Sequence, residues 1–102
     1  MKITNKQLIG LKVETQSGQK LGTIQSFNIQ IDSQSVVEYT IKPEGLIRGL
    51  ITEELIISRG QVVDISLEKM IVDDNSLTEE IKERIKNPLK KKAVAGALMK
   101  KK

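Results

Sequence analysis

The chain has 102 residues, of which 38% are apolar and 29% charged, with a formal net charge of +4 and two aromatic residues, Phe27 and Tyr39. That length bounds it to one small domain plus an appendage. It contains no cysteine, histidine or tryptophan, which excludes disulfides, thiol nucleophiles, histidine acid–base catalysis and the common zinc ligand sets.

The positive charge is unevenly placed. Residues 1–77 carry eight basic and ten acidic side chains, so the body is slightly acidic. Residues 90–102 carry six lysines and no acid. The first ten residues, MKITNKQLIG, lack the apolar run of a signal peptide. No stretch approaches the ~18 apolar residues of a membrane span. The expected location is cytoplasmic and the chain is not expected to be transmembrane.

Leu11 to Thr15 alternates, with Leu11 and Val13 on one face, and reads as a short strand. Ser17–Lys20 is a turn in which Gly18 supplies a positive φ. Leu21 to Ile31 reads as a second strand whose inward set breaks phase. Phe27, Ile29 and Ile31 share one phase and Ile24 sits in the other, which predicts a bulge or bend near Gln25–Ser26. Gly22 is placed where the backbone bends or packs closely. After a turn at Asp32–Ser35, the residues Val37, Tyr39 and Ile41 alternate as a third strand, stopped by Pro43–Gly45. Phe27 and Tyr39 are both assigned to the core. Leu46 to Glu53 fits either a loop over a barrel mouth or an irregular strand. Leu55–Ile57, Val62–Ile65 and Met70–Val72 complete six short strands, and tight connections favour a small antiparallel barrel, closed or nearly so.

Ser76-Leu77-Thr78-Glu79 has the form of a capping box, predicting a helix over 76–87 with Leu77, Ile81 and Ile85 as one apolar stripe. Asn87-Pro88 ends it. The organisation read from the chain is therefore a β domain over 1–75, the helix over 76–87, and a lysine-rich tail over 88–102.

Candidate chemistry is sparse. Asp73-Asp74, with Asp64 and Glu68 near in sequence, invites a metal or acid–base role, but its position between a strand and a helix start favours turn and capping, and Glu53-Glu54 is read the same way with no partner base in view. Gly18 and Gly22 lack the lysine-serine ending of a phosphate loop. No serine has a histidine to activate it. No catalytic residue, metal ligand or cofactor site is assigned.

The segments Ile9-Gly10-Leu11-Lys12-Val13, Gly18-Gln19-Lys20-Leu21-Gly22-Thr23-Ile24 and Ile29-Gln30-Ile31-Asp32 resemble the opening of a PRC-barrel domain. Glu54–Ser58, Val62–Ile65 and Met70–Asp74 are similar to its second half, so the resemblance covers about residues 5–75. It implies the small β-barrel shared by the cytoplasmic part of the photosynthetic reaction centre H subunit, by the ribosome maturation factor RimM and by stand-alone proteins, of which the last type fits this chain best. It also implies binding without catalysis and a tendency to self-associate.

The expected function is a non-enzymatic protein-interaction scaffold or adaptor, with a homodimer as a second expectation. Leu46, Ile47, Arg48 and Leu50 form an apolar loop suited to an interface, joined by Arg59 and the stripe of Leu77, Ile81 and Ile85. A second reading is an RNA- or ribosome-associated factor, or a weak, salt-sensitive contact with an anionic membrane, through Lys90, Lys91, Lys92, Lys100, Lys101 and Lys102. A third is a metal-dependent enzyme built on Asp64, Asp73 or Asp74.

Overall fold

The computed structural model describes residues 1–50 and 54–77. Within them lie a helical turn α1 (Asn5–Leu8), strands β1 (Lys12–Thr15), β2 (Lys20–Gln30) and β3 (Ser35–Pro43), and a second helical turn α2 (Gly45–Arg48). Strands β4 (Leu55–Ser58), β5 (Val62–Ile65) and β6 (Lys69–Val72) follow, with 3-10 turns at Arg59–Gln61 and Asp74–Ser76.

The six strands form one sheet in the order β4-β3-β2-β1-β6-β5. The expected purely antiparallel arrangement is corrected here. β1 and β6 run parallel, with Val13 beside Met70 and Thr15 beside Val72, whereas the other four pairings are antiparallel. A parallel pair needs a long crossover, and here the whole intervening chain supplies it. The expected closed barrel is also corrected. β4 and β5 are the two end strands and are not paired with each other. They are joined by only Arg59–Gln61, so the sheet curls until its ends meet at that corner. The Gln61 carbonyl accepts the Asp73 N–H at 2.9 Å, tying the corner to the end of β6.

Bulges reconcile the apolar phases. Ile24 faces Ile41 and Ser26 faces Thr40, leaving Gln25 as the extra residue at the predicted place. A further extra residue on β3, Val37, follows from Asn28 facing Glu38 while Ile29 faces Val36. The core is aliphatic and comprises Leu8, Leu11, Val13, Leu21, Ile24, Ile41, Ile47, Leu55, Ile57, Met70, Val72 and Leu77. Phe27 and Tyr39 face each other across β2 and β3 and are only partly buried at its margin. Ile29 and Ile31 belong to the predicted inward set, yet they are 53% and 87% exposed. Among the described residues the β2–β3 hairpin outruns the core cluster, so its inner face continues beyond that cluster.

α1 was not expected from apolar periodicity. It is set by a capping box, in which the Gln7 N–H donates to Thr4 Oγ1 at 3.2 Å and the Thr4 N–H donates to Gln7 Oε1 at 2.9 Å. Its single turn buries Leu8.

Candidate interaction surface

The segment after β3 divides by position. Pro43 ends the strand and Gly45 takes φ 62°, so the chain turns sharply into α2. Ile47 is fully buried and Leu50 nearly so. Both therefore belong to the interior, and the expectation that their side chains face a partner is corrected. Leu46 is 45% exposed and Arg48 is exposed on the same turn. α2 thus covers the core with one side and presents an aliphatic group beside a guanidinium on the other. Glu44 caps α2 without a side-chain hydrogen bond, so burial of Ile47 and Leu50 holds this single turn in place. Arg59 is exposed in the corner turn between β4 and β5.

Leu77 is buried in the core rather than displayed. Asp74–Ser76 form a 3-10 turn and Leu77 has extended backbone at φ −102° and ψ 147°; beyond Leu77, the helix expected over 76–87 lies outside the described residues. The Ser76 hydroxyl donates to Asp73 Oδ1 at 3.2 Å. Ile81, Ile85 and the lysines at 90, 91, 92, 100, 101 and 102 lie outside the described residues.

Asp73 and Asp74 hold turns. Asp74 Oδ1 accepts both the backbone N–H and the hydroxyl of Ser17, at 3.1 and 2.9 Å, and so clamps the β1–β2 turn against the end of β6. Among the described residues no group of three or more acidic, histidine or cysteine side chains is placed to hold a metal ion. Replacing Asp74 with alanine is expected to cost about 1 kcal/mol through the lost hydrogen bonds. A urea titration of the purified variant would read it, and an unchanged midpoint would show that the clamp is dispensable.

An open groove of about 470 Å³ with charged side chains along it crosses β1. Lys12, Lys20 and Lys69 line it together with Glu14, Glu44 and Glu68. Cations and anions alternate there, so the groove has no net preference for one sign. Lys69 Nζ donates to Glu14 Oε1 at 2.8 Å. That hydrogen bond, with the adjacent Glu14 and Glu68 charges, raises the Lys69 pKa above the ordinary 10.5. A raised lysine value means the ion pair stabilises the fold below pH 10.5 and loses that contribution as pH climbs through the folded value. Both partners are solvent-exposed in part, so the effect is small. Lys69→Met is expected to lower the urea midpoint slightly at pH 7, with the difference closing at strongly alkaline pH. A gap that persists there would assign the loss to packing of the lysine stem.

No helix among the described residues is long and apolar enough to cross a membrane. No catalytic motif occurs among them.

The PRC-barrel domain family matches residues 2–83. No curated protein matches the chain. Among solved structures, the chain is similar to a crystal structure from Pseudomonas aeruginosa described as the 16S ribosomal RNA processing protein RimM. The two are 31% identical with a TM-score of 0.54, over 74% of this chain and 46% of that one. The chain therefore spans less than half the length of that protein. The family match spans most of the chain: the chain belongs to the PRC-barrel domain family.

Proposed function

We propose that the chain acts as a cytoplasmic, non-enzymatic adaptor that docks a protein partner through the outer side of α2, with Leu46 and Arg48 as the central contacts and Arg59, at the corner between β4 and β5, as a separate one. The observation that carries this reading is the split within α2. Ile47 anchors the turn in the core while Leu46 and Arg48 stay displayed. A rigidly held aliphatic group next to an arginine is the kind of pair that concentrates binding energy at an interface. The same reading includes self-association of the domain, and it assigns residues 78–102 to an appendage carrying Ile81, Ile85 and the lysines.

The test is capture from the source cells with the full chain, with Arg48→Ala, and with a chain ending at Leu89, each washed at low and high salt. A discrete protein retained at high salt and after tail removal, and lost with Arg48→Ala, is the expected result. Retention of that protein by Arg48→Ala at full yield would reject α2 as the contact.

A second reading is favoured by the six lysines of residues 90–102 and by the RNA-processing description of the similar Pseudomonas protein. Here the tail binds RNA by charge. Affinity for a 16S ribosomal RNA fragment should then fall with salt, log affinity against log salt having a slope of roughly −0.7 to −0.9 per phosphate contacted. A chain ending at Leu89 should bind far more weakly. Equal binding by both chains would dismiss this reading.

A further inference from the structure

Among the described residues, the least protected edge is the outer edge of β2. β1 pairs with the first part of β2 only, and the last contacts on that side are the Gly10 N–H to the Ile24 carbonyl at 2.8 Å and the Ile24 N–H to the Leu11 carbonyl at 2.9 Å. Beyond Ile24, among the described residues, β2 pairs with β3 alone. The open stretch runs from Gln25 to Ile31 and reads QSFNIQI, with no charge, proline or glycine. Exposed edges are normally blunted by lysine, proline, a bulge or brevity. The other two edges follow that rule: β5 carries Asp64 and an irregularity at Val63, and β4 is four residues long between Glu54 and Arg59. β2 has its own extra residue at Gln25, at the start of the stretch; the second irregularity, at Asn28/Ile29, places its extra residue, Val37, on β3.

We propose that this edge is a self-pairing surface, on which β2 of a second copy adds antiparallel about a two-fold axis through Asn28. The inference rests on the self-association named above and gives it an address. The open stretch has its midpoint at Asn28, so a symmetric pair uses its full length without meeting the partner's β1. In that register Asn28 lies opposite itself, and Phe27 lies opposite Ile29 of the second copy, twice. These are the half-buried and exposed apolar groups of the inner face. Ile31, which is 87% exposed, falls opposite Gln25 of the second copy, near Gly10 and the exposed Ile9. An uncharged strand also pairs with itself without like charges in opposition. Asp32 follows Ile31 just beyond the stretch, and Glu38 sits one strand back, where it accepts from Asn28 Nδ2 at 3.2 Å. Across the pair the two Glu38 carboxylates are about three strand spacings apart, roughly 14 Å, beyond the screening length at physiological salt.

The absence of native cysteine makes the register directly testable. Residues directly opposite in an antiparallel pair have Cα atoms ~4.5–5.5 Å apart, within disulfide range. Asn28→Cys in the full chain is therefore expected to convert to a covalent dimer under mild oxidation. Ser26→Cys is not, because its two copies are offset by four residues, about 13 Å along the strands. Mixing Ser26→Cys with Gln30→Cys should restore cross-linking. Light scattering after size exclusion should give the wild-type mass as a dimer and Ile29→Lys as a monomer with unchanged circular dichroism. A wild-type monomer at all concentrations would overturn self-pairing altogether. A dimer that tolerates Ile29→Lys, and in which Asn28→Cys cross-links no faster than Ser26→Cys, would overturn this surface and leave self-association elsewhere in the fold. Neither outcome touches partner capture through Arg48, which is read separately.

Discussion

Gly22→Ala is expected to lose about half of the fold's stability and to unfold at a far lower urea concentration than the wild type. A Cβ at this position would lie 1.9 Å from the Lys42 carbonyl oxygen, 2.8 Å from the Lys42 carbonyl carbon and 3.1 Å from the Glu44 nitrogen. All three are backbone atoms, and backbone here has little freedom to retreat. Gly22 is in register with Pro43 and Thr23 with Lys42, while the Glu44 N–H is bonded to the Leu21 carbonyl at 3.0 Å. Gly22 also has φ 151°, a conformation that side chains rarely adopt. Local strain and overpacking together cost about 3–5 kcal/mol, against a total of roughly 5–10 kcal/mol for a domain of this size. Gly18→Ala is the matched control. Gly18 has φ 95° but open space around its would-be Cβ, so only the backbone penalty of ~1–2 kcal/mol applies. Urea titrations followed by circular dichroism separate the two. If Gly22→Ala unfolds no more readily than Gly18→Ala, the close approach of β2 and β3 is not what demands glycine.

The legibility of this fold follows the range of the interactions involved. Strand positions, the turn at Gly18 and the bulge at Gln25 were readable because each leaves a mark within a few residues: an alternation, a glycine, a break of phase between Ile24 and Phe27. The parallel pairing of β1 with β6 leaves none. It joins the first strand to the last, and period-two patterning is the same for either direction of a neighbour. The exposure of Ile29 and Ile31 was hidden for a related reason. Their alternation reports which face they occupy, whereas their exposure depends on how far the body of the domain extends beneath that face. In the candidate site, LIRGL reads as uniformly apolar around one arginine. Sorting Leu46 and Arg48 outward from Ile47 and Leu50 inward required knowing that the segment closes into a helical turn over the core. Gly45, with its positive φ, is the one signal that could have suggested that turn. The capping box at Thr4–Gln7 was equally present in the sequence, and it went unread because a single turn carries too little apolar periodicity to draw attention.

Ile47→Ala and Leu46→Ala, adjacent and similar in chemistry, are expected to fail in opposite ways. Ile47 has no exposed surface and sits in the core cluster with Ile41, Leu21 and Ile57. Truncating it leaves a cavity and should cost about 2–5 kcal/mol. Its loss also weakens the hold on α2, which has no side-chain cap of its own. Partner capture should therefore fall together with the denaturation midpoint. Leu46 is 45% exposed, and truncating a group that stays half in water should change stability by only about 0.5–1 kcal/mol. Partner capture should nevertheless drop, because the aliphatic contact beside Arg48 is removed from an intact scaffold. Measuring thermal midpoint and capture yield for both variants places each on two axes. Loss of capture by Leu46→Ala at a near-native midpoint would assign binding to the displayed side of α2. Full capture by Leu46→Ala, alongside failure of Ile47→Ala on both axes, would mean that α2 serves only as a cover for the core and that the partner reads another face of the sheet.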